Sequence, residues 1–235
     1  KNRVVTRGGI QYEIDISEGI DLSVYLFGNY QKHLFNKNFV KPSQGWVILD
    51  VGANFGVMSL KFAKNFPDSE VHAFEPTLYA LGKFRKNLNL NPHLADRITV
   101  NHAFVGSETS DNKHVNAVYS SWKLNVDTAD RHPVHLGSLM DTNGARYIAL
   151  DEYIKTKELL RLDLIKIDTD GHEAEVIESG LESIARFKPL IIFEAGLYIA
   201  RERGISFTRY FDLLEPFGYE LFLLNNSHKI QRINF

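Results

Sequence analysis

The sequence predicts an α/β fold built on a mostly parallel β-sheet. From Trp46 onward, short runs of β-forming residues alternate with segments of helical periodicity. Strands that alternate with helices along a chain pair in parallel through right-handed crossovers. A second observation agrees with this class, because a turn with two glycines joins the first buried strand directly to a helix. Doubly wound sheets use such turns at their ligand-binding edge.

Each predicted element has its own pattern. Residues 46–51 read WVILDV, which is apolar nearly throughout and therefore predicts a buried strand. Residues 57–66 place four apolar side chains on one helical side, and Pro67 then ends the helix. Residues 219–233 predict a closing hairpin. The other core strands are predicted at 70–75, 97–104, 162–168 and 190–194, and the other helices at 77–90, from 151, at 171–186 and near 206–215.

Two regions fall outside this alternation. Residues 1–45 predict an N-terminal β/α extension, and residues 106–146 predict an irregular, polar excursion with one or two extra strands, such as 117–126. Neither an internal repeat nor a low-complexity linker divides the chain, so we expect one domain over 1–235. The excursion is where we expect the determinants of substrate specificity.

Composition and charge exclude several classes of protein. The net charge of -2 and the pI near 6.5 give no electrostatic reason to expect a nucleic acid partner. The absence of cysteine excludes disulfides, thiolate zinc sites and cysteine nucleophiles. No apolar stretch approaches the roughly 20 residues of a membrane span. We therefore expect no membrane span, a cytoplasmic location by default, and a monomer or homodimer.

The turn DVGANFG at 50–56 carries the first functional prediction. Gly52 permits a sharp turn and a close approach of backbone to ligand, and Gly56 lets the next helix pack closely on the sheet. Dinucleotide-binding turns have the spacing G-x-G-x-x-G, whereas this turn has Gly52-x-Asn54-x-Gly56. The carboxylate of Asp50 at the strand end would repel a pyrophosphate but pair with a cationic amino group. This favours S-adenosylmethionine over NAD as the cofactor.

Glu75 is the second acid that points to a nucleoside cofactor. It ends the next strand, 19 residues after Gly56, where an acid commonly accepts hydrogen bonds from the hydroxyl groups of a bound ribose. Asp50 and Glu75 thus end two successive strands with the glycine-containing turn between them. Two alternatives stay open at this point. The cofactor could be NAD, or Asp50 and Glu75 could only cap helices in an α/β fold that binds no nucleotide.

Two longer segments resemble the FkbM family of S-adenosylmethionine-dependent methyltransferases. DVGANFG (50–56) is close to the family's D-x-G-A-N-x-G, and LIKIDTDGHEAEVIESG (164–180) is similar to its I-K-x-D-x-E-G-x-E signature. The chain departs from the family at Asp170, where the family has Glu, and at Gln31, where the family often has an acid. The resemblance extends over roughly residues 10–225, and further similar runs are ALDEYI (149–154) and KPLIIFE (188–194).

The resemblance implies a class I methyltransferase fold, which is Rossmann-like and doubly wound, with a seven-stranded sheet whose last strand is antiparallel. It implies O-methylation of a hydroxyl group on a sugar, a glycolipid or a natural product, so the partner is a small-molecule or glycan acceptor. The methionine end of the cofactor would meet the turn, the ribose the end of the second strand, and the adenine the end of the third. The implied cofactor-binding residues are Asp50, Gly52, Ala53, Asn54, Gly56, Glu75, Pro76 and Ala103.

Asp168, His172 and Glu194 are the candidates for the reaction itself. An alcohol is a poor nucleophile at neutral pH, so it needs a base within hydrogen-bond reach or a metal that lowers its pKa. Asp168 ends the fourth core strand and could act as a catalytic residue together with His172 at the start of the next helix. Asp168 and Glu194, at the end of the fifth strand, also predict an oxygen-ligand site suited to Mg²⁺.

Other interpretations of these residues remain. An acid such as Asp168 or Asp170 also suits the N-terminus of the helix that begins near Gly171. One alternative function is an NAD-dependent oxidoreductase or epimerase, which the glycine spacing disfavours. The other is a module that binds S-adenosylmethionine without catalysis.

Overall fold

The computed structural model describes residues 2–28, 30–35, 40, 43–106, 117–120, 124, 137–194, 204, 206–224 and 230–233. Strands and helices alternate from residue 47 onward, as predicted. The strands are β1 (Asn2–Arg7), β2 (Ile10–Asp15), β3 (Val47–Val51), β4 (Glu70–Glu75), β5 (Ile98–Val105), β6 (Ala117–Ser120), β7 (Ser138–Asp141), β8 (Arg146–Ile148), β9 (Leu164–Ile167), β10 (Leu190–Phe193), β11 (Phe222–Leu224) and β12 (Ile230–Arg232). The helices are α1 (Gly19–Phe27), α2 (Val57–Asn65), α3 (Leu78–Leu90), α4 (Pro92–Ala95), α5 (Leu150–Thr156), α6 (Glu173–Glu178), α7 (Leu181–Phe187) and α8 (Thr208–Leu214), with 3₁₀ turns at Lys32–Phe35 and Glu215–Phe217.

The central sheet is parallel and has the strand order β10-β9-β3-β4-β5-β8. The chain proceeds from β3 through β4 to β5 in one direction and later adds β9 and β10 on the other side of β3. Strand order therefore reverses between β3 and β9. Ligands of open α/β sheets bind beyond the carboxyl ends of the strands at such a reversal.

The predicted count of seven strands is wrong for the described residues, in which the central sheet has six. The predicted closing hairpin is confirmed as β11 and β12, but these two strands form a separate antiparallel sheet. The predicted strand at 117–126 is described only over β6, which pairs with β7 outside the central sheet. The rest of the predicted excursion lies largely outside the described residues. The sheet gains instead the short strand β8 beside β5.

Two apolar layers enclose the sheet. One layer packs α2, α3 and the N-terminal hairpin on one face, with Tyr12, Phe62 and Phe84 among its fully buried side chains. The other packs helices α5 to α8 on the opposite face, around Tyr153 and Ile177. Because both faces are covered, all five residues of β3 are buried. This burial on both sides explains the nearly continuous apolar run that predicted the strand.

The N-terminal extension is fastened to α3 by buried asparagines. Asn87 accepts a hydrogen bond from the Glu13 N–H at 2.7 Å, and Asn91 accepts one from the Gln11 N–H at 2.9 Å. These side-chain amides satisfy backbone groups of β2 that would otherwise lack a strand partner. The hairpin β1–β2 is thereby held against the central fold. None of the described helices is long and apolar enough to cross a membrane.

Candidate active site

A cavity of about 960 Å³ opens at the carboxyl ends of the central strands. Its volume lies near the upper end of the range of about 300–1,000 Å³ that is usual for small-molecule sites. Three of the four acids predicted at strand ends line it, namely Glu75, Asp168 and Glu194. Asp50 does not line it. The cavity also takes in the residues after β3, so the predicted cofactor and acceptor regions lie in one space.

The glycine loop, residues 52–56, is fixed by close backbone contacts. Gly52 has φ +74°, and a Cβ atom at this position would lie 1.8 Å from the carbonyl oxygen of Asp168. Gly56 has φ +85°, and a Cβ atom there would lie 2.1 Å from the ring of Phe84. Both positions therefore exclude a side chain on two grounds, the left-handed backbone and the space. The N–H groups of Gly52 and Ala53 both donate to the Phe74 carbonyl at 3.0 Å.

Glu75 joins this loop to the end of β4. Its Oε2 accepts a hydrogen bond from the Asn54 N–H at 2.9 Å, and its Oε1 accepts from the N–H and hydroxyl of Thr77 at 2.9 and 2.5 Å. Burial raises the pKa of Glu75, against the effect of these hydrogen bonds. Two carboxylate oxygens offer about four acceptor positions. The described residues use three of them, and Glu75 lines the cavity.

Asp50 is buried beneath the cavity and paired with Lys166. The two residues are neighbours across β3 and β9, so their side chains leave the sheet on the same face. Lys166 Nζ lies 3.1 Å from Asp50 Oδ1, and the Ser59 hydroxyl donates to Asp50 Oδ2 at 2.5 Å. The same ammonium donates to the carbonyl oxygen of Gly52 at 2.9 Å. Lys166 thus links Asp50 to the glycine loop, and the predicted contact of Asp50 with the cofactor stays a prediction.

The remaining predicted cofactor residues lie around the ends of β4 and β5. Pro76 and Ala103 both line the cavity. Nε2–H of His102 donates to the Pro76 carbonyl at 2.9 Å, which fixes the two strand ends relative to each other. This side of the cavity has apolar lining at Phe74, Phe104 and Val105, whereas most of the charged lining residues lie near β9 and β10.

Asp168 and Glu194 are hydrogen-bonded to each other through their side chains. Burial acts to raise the pKa of Asp168, but the Lys166 ammonium, 3.5 Å away, and hydrogen bonds from Glu194 and Gln31 outweigh it and lower that pKa. The hydrogen bond to Asp168, followed by burial, raises the pKa of Glu194 to about 8. At neutral pH, Asp168 is therefore ionised and Glu194 holds the proton between them.

Asp170 and His172 lie on the same rim of the cavity. Asp170 has φ +51°, and burial followed by the charge of Asp168 raises its pKa to about 7. Nδ1 of His172 lies 3.0 Å from Glu175 Oε2, so the ring donates from Nδ1 and leaves Nε2 to take a proton. His172 is half exposed and lines the cavity. Glu173 is instead buried and accepts hydrogen bonds from residues 169 and 171.

The predicted Mg²⁺ site has an incomplete set of ligands. Across the ranges that the structure describes, no group of three or more His, Cys, Asp or Glu side chains is arranged to hold a metal ion. Asp168 and Glu194 are brought together, but a carboxylate that hydrogen-bonds a carboxylic acid offers fewer free oxygens than two carboxylates. The described residues therefore do not support the predicted Mg²⁺ site at Asp168 and Glu194.

Known proteins identify the family of this chain. The family model of the methyltransferase FkbM domain matches residues 50–221. The chain belongs to the FkbM methyltransferase family. Methyltransferase sdnD of Sordaria araneosa is 28% identical in an alignment of 165 residues that covers 58% of this chain and 61% of that protein. The chain thus matches about three-fifths of the length of this curated relative.

This chain also has low similarity to solved structures of methyltransferases. Precorrin-6y C5,15-methyltransferase from Geobacter metallireducens is 14% identical, with a TM-score of 0.44, over 87% of this chain and 83% of its own. TYW2 from P. horikoshii, in complex with MeSAdo, is 19% identical, with a TM-score of 0.31, over 42% of this chain and 34% of its own. Similarity at this level decides nothing about the chemistry of this chain.

Two residues of the site were missed by sequence reasoning. Lys166 stands inside the FkbM signature, and a lysine within an otherwise apolar buried strand was a usable signal that it has an acidic partner. Gln31 was noted only as a departure from the family, yet its Nε2–H donates to Asp168 Oδ2 at 3.0 Å. No local pattern could have predicted that contact, since the two residues lie 137 positions apart.

The proton held by Glu194 predicts a pH dependence of stability. A carboxyl group whose pKa is raised on folding, here from 4.5 to about 8, stabilises the fold fully below pH 4.5. That contribution is lost as the pH rises through about 8. We expect Glu194→Gln to keep the hydrogen bond without titrating, so its melting temperature relative to the parent rises between pH 5 and 9. A difference that stays constant over this range would contradict the raised pKa of Glu194.

Proposed function

We propose that this protein transfers a methyl group from S-adenosylmethionine to a hydroxyl group of a small-molecule or glycan acceptor, such as a sugar, a glycolipid or a natural product. The observation that carries the proposal is the glycine loop packed on Asp168 at the strand-order reversal. This contact places a loop suited to a nucleoside cofactor and an ionised carboxylate in the same cavity. We treat residues 1–235 as one methyltransferase domain.

The residues present suit this cofactor. Glu75 lines the cavity and would accept a hydrogen bond from a ribose hydroxyl, and Pro76 and Ala103 line the side of the cavity that would hold the base. The pair Asp50–Lys166 is nearly neutral, so Asp168 leaves a net negative charge beside the loop. A negative charge there is complementary to a sulfonium and an ammonium group. When bound, S-adenosylmethionine would supply a methyl group on a positively charged sulfur.

The roles of the reaction residues follow from their positions. Asp168, ionised and held at the cavity rim, would orient the acceptor hydroxyl in line with the methyl carbon and accept its hydrogen bond. His172 is held at Nδ1 by Glu175, and its Nε2 would take the proton as the new carbon–oxygen bond forms and the carbon–sulfur bond breaks. The electron pair of the broken bond remains on sulfur, which becomes a neutral thioether.

The lining of the cavity agrees with the expectation that residues 106–146 contribute to acceptor binding. Val118 and Ser120 of β6 and Tyr147 of β8 line the cavity, although most of the region lies outside the described residues. Their mixed polarity, together with nearby apolar side chains, suits an acceptor that has both hydroxyl groups and an apolar part.

The experiment is methyl transfer from radiolabelled S-adenosylmethionine to a panel of glycosides, with and without Mg²⁺. Octyl glucoside is included as an acceptor with an apolar tail. We expect an alkali-stable ether product, lost in Asp168→Asn and His172→Ala. Cofactor binding without transfer to any acceptor would favour a non-catalytic module. Binding of NAD instead would favour an oxidoreductase.

A further inference from the structure

Asp168 is held by a residue from the N-terminal part of the chain. Gln31 follows α1 and precedes the 3₁₀ turn Lys32–Phe35, and it lines the cavity. Its Nε2–H donates to Asp168 Oδ2 at 3.0 Å, and Lys166 Nζ lies 3.5 Å from the same oxygen. One oxygen of the carboxylate is therefore fixed by two donors. Asp168 is also hydrogen-bonded to Glu194, so its carboxylate is oriented by three side chains.

Gln31 makes this contact under two unfavourable conditions. Its φ of +47° lies in the left-handed region, which is disfavoured for any residue with a Cβ atom. Its Oε1 is buried and has no hydrogen-bond partner among the residues that the structure describes. Rotating the amide would not help, because Oε1 would then face the Asp168 carboxylate. Backbone strain and an unpaired buried polar atom are typical of positions retained for function.

The surroundings of Gln31 form an apolar wall of the cavity. Ile20 of α1, Leu34 of the 3₁₀ turn and Val40 line it. The hydrogen bond from Gln31 joins this wall to the carboxyl end of β9. The orientation of Asp168 and the position of the wall are thereby coupled, although they belong to distant parts of the chain.

We propose that Gln31 is a positioning residue that directs the Asp168 carboxylate toward the transferable methyl group, and that the wall of Ile20, Leu34 and Val40 is the acceptor side of the cavity. The proposal rests on the proposed methyltransferase function. It assigns part of the acceptor site to the N-terminal extension, in addition to the region 106–146.

The test uses two cofactor analogues and needs no known acceptor. Sinefungin has an amine-bearing carbon in place of the methylated sulfur, so its amine occupies the position of the methyl group. S-adenosylhomocysteine has no group there. The ratio of the two affinities, measured by calorimetry, therefore reports whether a carboxylate faces the methyl position. Because the ratio compares two ligands on one variant, a general loss of stability does not change it.

We expect the parent to prefer sinefungin by about 10-fold or more, as a charge-assisted hydrogen bond provides. Asp168→Asn should remove most of this preference. Gln31→Leu should reduce the preference for sinefungin to within about threefold, while the affinity for S-adenosylhomocysteine stays nearly constant. When Gln31→Leu is combined with Asp168→Asn, it should not reduce the preference further. A parent preference that survives Gln31→Leu would overturn the proposal, as would a parent that binds both analogues equally. Failure of the parent to bind either analogue would instead overturn the methyltransferase function itself.

Two further variants make the result specific. Gln44→Leu is the matched control, because Gln44 is exposed and also donates from Nε2 to an aspartate, Asp68, at 2.6 Å. It should leave the preference unchanged. Gln31→Gly removes the amide and accepts the left-handed φ without strain, so a change in its preference cannot be attributed to backbone strain. If Gln31→Gly keeps the full preference for sinefungin, the amide does not position Asp168.

Discussion

Gly52→Ala is expected to abolish binding of S-adenosylhomocysteine, with a loss of affinity of at least about 100-fold. The new Cβ atom would lie 1.8 Å from the Asp168 carbonyl oxygen, whereas ordinary contacts begin near 3.4 Å. The end of β3 and the start of the loop after β9 must therefore separate. This separation displaces the glycine loop and Asp168 together. Calorimetry with S-adenosylhomocysteine measures the loss, and circular dichroism verifies that the variant is folded.

Gly218→Ala is the control for the backbone effect. Gly218 has φ +79°, close to the φ of Gly52, but a Cβ atom there would meet nothing within 4 Å. The left-handed conformation alone costs about 1–2 kcal/mol. Gly218→Ala should therefore lose some stability and keep its affinity for S-adenosylhomocysteine. Equal losses of affinity in the two variants would contradict the importance of the contact between Gly52 and Asp168.

Lys166→Met is expected to have the second largest effect, on both stability and binding. Burial acts to lower the pKa of Lys166, but the charges of Asp50 and Asp168 outweigh it and raise that pKa, so the side chain is a buried cation. Removing one partner of a buried ion pair typically costs about 3–5 kcal/mol. The Gly52 carbonyl also loses its donor, so the affinity for S-adenosylhomocysteine should fall by about 10-fold or more.

Lys83→Met separates these two effects. Lys83 forms a comparable ion pair with Asp21 at 2.6 Å, with little exposure of either side chain, but it does not line the cavity. It also packs on the ring of Phe55, a contact that methionine can retain. Denaturant unfolding should show similar losses of stability for both variants, whereas only Lys166→Met should lose affinity. A parallel loss of affinity in Lys83→Met would mean that Lys166 acts only on stability.

Local patterns in the sequence were sufficient for the architecture of the central sheet. The strand β3 is buried on both faces, which gives it a nearly continuous apolar run, and the acids at the ends of four strands are visible from sequence alone. Since parallel strands end at one edge of a sheet, the convergence of Glu75, Asp168 and Glu194 could be predicted without knowing their distances.

Features that depend on contacts between distant residues could not be predicted in this way. The ion pair of Asp50 with Lys166 depends on the register of β3 and β9, and the contact of Gln31 with Asp168 depends on the path of the N-terminal extension. The position of the closing hairpin relative to β10 depends on tertiary packing too, which is why the count of seven strands was wrong. The hydrogen bond between Asp168 and Glu194 likewise follows from their proximity across two strands.

The most direct test of the central claim is calorimetric titration of the parent protein with S-adenosylhomocysteine, with NAD as the control ligand. The glycine loop, Glu75 and the ionised Asp168 predict one site per chain with micromolar affinity for S-adenosylhomocysteine and no heat from NAD. Binding of NAD alone, or of neither ligand, would contradict the assignment of this cavity to S-adenosylmethionine.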